Sequence, residues 1–130
     1  MTRYLISFND GAMNHITREE LPAVAKAAHA VVDEAKEAGV WVFGAGLEHH
    51  DVVTVVAPDG TVTDGPYPES KEHIGGFAVV DVPTREEALK WAAKMAVACR
   101  CAQAVFELLP DEMTDEELDR LRPRTSDRRS

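Results

Sequence analysis

Phe77 to Val82 (FAVVDV) carries apolar side chains on both of its faces, Phe77 and Val79 on one and Ala78, Val80 and Val82 on the other. Side chains alternate along a strand, so a segment of this kind needs cover on both sides. Ala102 to Leu109 (AQAVFELL) repeats the pattern, with Ala104, Phe106 and Leu108 set against Val105 and Leu109. Val40 to Leu47 (VWVFGAGL) does so again and reads as a central strand, its Gly44 and Gly46 making a bulge or admitting a neighbouring backbone. Such strands restrict the chain to folds in which a sheet lies between two layers.

The remaining segments supply one of those layers. Arg3 to Phe8 (RYLISF) alternates as a further strand. Leu21, Val24, Ala25, Ala28, Val31, Val32 and Ala35 recur at three and four residues, opposite Lys26, Asp33, Glu34 and Glu37, which predicts a helix ending at Gly39. Its start has two readings. Either Thr17-Arg18-Glu19-Glu20 is a capping box, or a short turn precedes a helix that holds Pro22 in its first turn, where proline removes no intrahelical bond. Thr84-Arg85-Glu86-Glu87 is a second capping box, opening a helix with Ala88, Leu89, Ala92, Met95 and Ala96 on its inner face. Val52 to Ala57 and Thr61 to Thr63 flank Pro58-Asp59-Gly60 as a hairpin. The order strand, helix, strand, hairpin, strand, helix, strand predicts an α+β fold, an antiparallel sheet with both helices on one face. The other face is then left for a second copy of the chain, and a homodimer joined through its sheet faces is expected.

A length of 130 residues suits one domain, placed at residues 1–110, followed over 111–130 by a short acidic helix, Thr114 capping onto Glu117, and a basic, disordered tail. The net charge of −9 opposes nucleic-acid and anionic-membrane partners. Five arginines after residue 119 make the body more acidic still. No apolar run approaches the roughly 20 residues of a membrane span, and no basic-then-apolar leader opens the chain. A cytoplasmic protein is expected. Cys99 and Cys101, the two cysteines, have neither the spacing of a disulfide scaffold nor a second ligand pair for zinc.

Chemistry concentrates between Asp64 and Gly76 (DGPYPESKEHIGG), where turn formers, both charge signs and an imidazole stand between two strand-like runs. Gly65 admits a positive φ, while Pro66 fixes its own φ and pushes the residue before it out of the α region. His29 falls on the border of the first helix's buried stripe, where a side chain held by packing still reaches a cavity. A carboxylate beside an imidazole fixes its tautomer and favours the imidazolium formed on proton abstraction, which makes a general base. The bland alternatives are that Asp64 caps its own turn, that His29 only packs, and that Lys71 belongs to a solvated charge run with Glu69 and Glu72. His49-His50-Asp51 is read as a solvated loop, because adjacent histidines on an extended segment point to opposite sides and do not converge without a special turn. No metal and no cofactor are expected.

Ala28-His29, Gly44-Ala45-Gly46-Leu47, Thr63-Asp64-Gly65-Pro66-Tyr67, Ser70-Lys71-Glu72, Gly75-Gly76-Phe77 and Glu87-Ala88-Leu89-Lys90-Trp91-Ala92, in that order, resemble the YCII-related family in its DGPF branch over about residues 3–109. The resemblance implies a ferredoxin-like β-α-β-β-α-β protomer, here with an inserted hairpin, pairing sheet to sheet into a dimeric α+β barrel. It implies an active pair at His29 and Asp64. Beside that pair, Gly65, Pro66, Tyr67, Lys71, His73 and Gly75 are substrate-binding candidates by their chemistry and place in the loop. Backbone N–H groups near Gly65 and Gly75, with Lys71, would then stabilise an oxyanion. Tyr67 in place of the branch's Phe, and His73-Ile74 in place of the commoner Gln-Leu, depart from the pattern. Two function classes follow. One is a cofactor-free acid–base enzyme performing isomerisation, dehydration or lactone chemistry on a small carbonyl compound. The other is a non-catalytic small-molecule-binding or regulatory module, since relatives occur beside alternative sigma factors.

Overall fold

The computed structural model of the chain describes residues 1–66 and 73–122. Its elements run β1 (Thr2–Asn9), α1 (Leu21–Glu37), β2 (Trp41–Gly46), β3 (Thr54–Val56), β4 (Val62–Asp64), β5 (Ile74–Val82), α2 (Arg85–Cys99), β6 (Ala104–Glu107) and α3 (Asp115–Leu121). Four strands form one sheet in the order β2-β5-β1-β6, each pair antiparallel. Among the described residues β3 and β4 pair only with each other, as the hairpin expected around Pro58-Asp59-Gly60. The mixed α+β architecture with an antiparallel sheet is as the element order predicts. Among the described residues no helix is long and apolar enough to cross a membrane.

Both helices lie on one face of the sheet. Tyr4 and Ile6 of β1 and Val80 and Val82 of β5 are buried against Ala88 and Ala92 of α2. Val31 and Ala35 of α1 approach Ile6, Ala78 and Val80 from the same side. Burial of each Val or Ile here contributes about 1.5–3 kcal/mol, and the alanines of α2 let the helix come close. On the opposite face the register aligns Phe43, Val79, Leu5 and Phe106 in a row across all four strands. No described element covers that row, and Phe43 and Phe106 remain 59% and 54% exposed.

The helix ends resolve the two readings of α1. Thr17 and Glu20 do exchange bonds: Glu20 Oε1 accepts from the Thr17 N–H at 3.0 Å and Thr17 Oγ1 from the Glu20 N–H at 3.3 Å. They close a turn, however, and α1 begins after it at Leu21 with Pro22 in its first turn. At α2, Thr84 Oγ1 accepts from the Glu87 N–H at 3.2 Å. At α3 both halves of the box between Thr114 and Glu117 are present. Lys94 pairs with Glu34 and Arg100 with Glu20, tying α2 to α1 along its length.

Some expectations are corrected. β2 is not central but lies at one edge of the sheet formed by the described residues. Its two-sided apolarity arises because one face borders the helix layer while the other carries Phe43 of the uncovered row. Leu89 faces outward from α2, since the small residues Ala88 and Ala92 take the positions against the sheet. β5 starts at Ile74, ahead of Phe77, and β6 is confined to Ala104–Glu107. The basic tail expected at the C-terminus falls almost wholly outside the described residues.

Candidate functional site

A cleft of about 420 Å³ opens between α1 and the sheet. Glycines and alanines of β2 and β5 form part of its floor. On the helix-facing side the register sets Gly44 beside Ala78 and Ile6, and Gly46 beside Gly76 and Phe8. At Gly46 an added Cβ would meet no described atom within 4 Å, so this part of the floor is open. Gly76 is small for another reason: a Cβ there would stand 2.7 Å from two carbons of the Phe8 ring, which lies over it.

The roof comes from one face of α1, where Ala28, His29, Val32 and Lys36 recur at helical spacing. Met95, Cys99 and Gln103 close the side toward α2. The polar groups offered to a ligand are therefore the His29 imidazole, the Lys36 ammonium and the Gln103 amide, against an otherwise apolar wall. Burial, with Cys101 nearby, pushes the Cys99 thiol above its usual range, which disfavours the nucleophilic thiolate. A proton carrier and a cation facing an apolar space suit a small molecule with one polar or anionic end.

His29 thus reaches a cavity, as its border position suggests, although its ring is exposed. Asp64 belongs to the hairpin. It ends β4 opposite Thr54, exposed, and is not among the described residues that line the cleft. Gly65 does take the positive φ expected of it, at 81°. Its N–H is given to Val53 O at 2.5 Å, which engages that donor within the hairpin. Pro66 is half-buried beyond it. Tyr67 and Lys71 lie outside the described residues. Gly75 sits at the β1–β5 irregularity, against Asp10, and its carbonyl accepts from the Leu47 N–H at 2.9 Å.

His73 joins a second constellation. The turn after His49, where His50 to Val52 form one turn of 3₁₀ helix, brings the two adjacent rings to 4.2 Å between centroids. The expectation that these rings point apart is thereby overturned, since the backbone supplies the special turn that convergence requires. Asp10, just past β1, accepts at Oδ2 from the His50 backbone N–H at 2.7 Å and lies 2.8 Å from His50 Nδ1. The backbone bond comes first among the causes that hold the Asp10 carboxyl below its usual range, with the ring bond next. The His73 ring stacks on that of His50 at 4.6 Å and 4°, while the His73 carbonyl accepts from the Asp10 N–H at 2.6 Å.

Signature glycines, a helix-borne histidine facing a cleft, and this order of elements are now all in place, and the model of the YCII-related domain matches residues 2–109. The chain belongs to the YCII-related family. No curated protein matches it.

The matched span of this YCII-related protein takes in both constellations and the whole four-stranded sheet, while α3 lies beyond it. The contact of Asp10 with His50, one of several His–Asp contacts among the described residues, escaped sequence reasoning. The available signal was His49-His50-Asp51 itself, a dense run of titratable groups. Its partner stands 40 residues earlier, which no local pattern encodes.

Proposed function

We propose that this YCII-related protein handles a small carbonyl compound in the α1–sheet cleft by cofactor-free acid–base chemistry: isomerisation, dehydration or a lactone reaction. His29 takes and returns the proton, and Lys36 holds the negative charge that develops on the carbonyl oxygen. The observation that carries this reading is that His29 and Lys36 line one otherwise mostly apolar cleft from the same face of α1. The pairing of Asp64 with His29 belongs to the same proposal, with Pro66, Tyr67, Lys71 and His73 shaping substrate choice. The test is a thermal-shift screen of small carbonyl and carboxylate metabolites on wild type, His29→Ala and Asp64→Asn. A compound that stabilises wild type, fails on His29→Ala and is turned over only by wild type is the expected result. Equal shifts on wild type and His29→Ala would place the site elsewhere.

A second reading is a binding or regulatory module without catalysis. It is favoured by one observation, that no carboxylate is among the described residues lining the cleft with His29. Stabilisation by a ligand without turnover selects it.

The same proposal extends to assembly: a ferredoxin-like protomer pairing through its open sheet face into a dimeric α+β barrel. The strand order β2-β5-β1-β6 and the row Phe43, Val79, Leu5 and Phe106, exposed at Phe43 and Phe106, support it. Sedimentation at micromolar concentration should give twice the 14.3 kDa of one chain, and Phe106→Glu should reduce that to a monomer. A monomeric wild type counters the pairing.

A further inference from the structure

The Asp10–His49–His50 cluster lies outside the cleft chemistry and has the composition of a metal site. One ligand atom from each of the three residues lies within 4.8 Å of the others. Convergence alone would be satisfied by a hydrogen-bonded cluster that ties the turn to the end of β1. The position of a fourth residue goes further. The Asp51 carboxylate spans both histidines, Oδ1 standing 3.2 Å from His50 Nε2 and Oδ2 standing 3.3 Å from His49 Nδ1.

That placement sorts the ring nitrogens of His50 directly; His49 Nδ1 accepts from the Asp51 backbone N–H at 3.3 Å and would exchange that bond for the Asp51 carboxylate on taking up the proton. Nitrogens facing Asp51 are those that keep their protons when the opposite nitrogens bind a cation, the carboxylate–histidine–metal arrangement that fixes tautomer and ring orientation. The two opposite nitrogens, His50 Nδ1 and His49 Nε2, both face Asp10 Oδ2, at 2.8 and 3.9 Å. A tetrahedral site with metal–ligand bonds of about 2.0–2.1 Å sets ligand atoms roughly 3.3 Å apart, a value the two distances bracket.

We propose that Asp10, His49 and His50 bind one divalent first-row transition ion, with Asp51 as the outer carboxylate that orients both imidazoles. Two imidazoles and one carboxylate are borderline ligands that suit Zn²⁺, Co²⁺ or Fe²⁺ over Ca²⁺ or Mg²⁺. Three protein ligands leave a position for water or an anionic ligand. The site is held from behind by the Asp10 N–H bond to the His73 carbonyl and by the His73 ring stacked on His50. A bound ion cross-links the end of β1 to the segment leading into β3.

The test is titration of the full-length, tag-free chain with Zn²⁺ by calorimetry and with Co²⁺ by visible absorption. One ion per chain is expected, with a dissociation constant of about 10 μM or below and Co²⁺ bands in the tetrahedral or five-coordinate range. His49→Ala and His50→Ala should each weaken binding at least about tenfold, while His29→Ala leaves it unchanged. Asp51→Asn, at an exposed side chain whose loss does not threaten the fold, should weaken it by about 10- to 100-fold. Absence of Zn²⁺ binding below about 100 μM, or binding that all three of these cluster variants retain, overturns the proposal.

Discussion

The indole of Trp41 fills the space beside Gly44, so that a Cβ on Gly44 would stand 2.7 Å from Trp41 Cη2 and 2.8 Å from the Phe77 carbonyl oxygen. The ring has a way to move, but the strand backbone does not. Gly44→Ala is therefore expected to cost about 1–3 kcal/mol by overpacking β2 against β5. Urea denaturation measures it, and a midpoint equal to wild type would show that the edge strand yields.

Two residues along the same strand the expectation reverses. Gly46 has open space beside it and lines the cleft, and a β-branched residue suits a strand. Gly46→Val should fold with stability within about 1 kcal/mol of wild type while lowering affinity for a cleft ligand by about tenfold or more. Unchanged affinity for a ligand that His29→Ala abolishes would place that ligand away from the Gly46 end.

Glu20 gives the acid limb of stability a test. Its carboxyl is held below its ordinary value near 4.5 by the Thr17 N–H first, then by the Thr17 hydroxyl and Arg100. The folded state therefore favours the charged form. The resulting stability is full above about pH 4.5 and is lost as pH falls through the lowered folded value. Glu20→Gln should be less stable than wild type at pH 7, with the difference shrinking below pH 4.5 in urea melts run from pH 2 to 7. A difference that does not vary with pH would assign the effect to packing.

Cys99 reports on the cleft it lines. With its thiol pushed up by burial, it should react with iodoacetamide at pH 7.5 at least about tenfold more slowly in the native chain than in urea. A bound cleft ligand should slow it further, and mass spectrometry of the alkylated peptide reads both effects. Equal rates in the folded and unfolded chain would mean that the α2 side of the cleft opens freely.

Much of the fold was legible because it is written locally. Thr84 and Thr114 announce their helices through the residue three positions on, Pro22 marks where α1 starts, and Pro58-Asp59-Gly60 closes the hairpin. The edge position of β2 was not legible, since an apolar side chain facing an open sheet or a cleft reads the same as one facing a core. The candidate site divides in the same way. His29 follows from helical periodicity, which gives direction relative to a buried stripe. The contact of Asp10 with His50 depends on a turn whose dihedrals the pattern does not fix and on two chain segments brought together only by the register of β1, β5 and β2. The position of Asp64 at the end of β4 is of that kind too, because it depends on where a hairpin with its own pairing comes to rest.

That hairpin has a dynamic consequence. β3 and β4 are three residues each, paired among the described residues only with one another and exposed along β4, whereas β1 and β5 share a long register in the middle of the four-stranded sheet. A two-stranded ribbon of this length is marginal by itself, so it should open without the rest of the molecule unfolding. The amides within the β3–β4 ladder should exchange with deuterium orders of magnitude faster than those between Tyr4 and Val80, where exchange waits for global unfolding. Asp64 is thus carried on a short ribbon whose opening would move it without unfolding the four-stranded sheet.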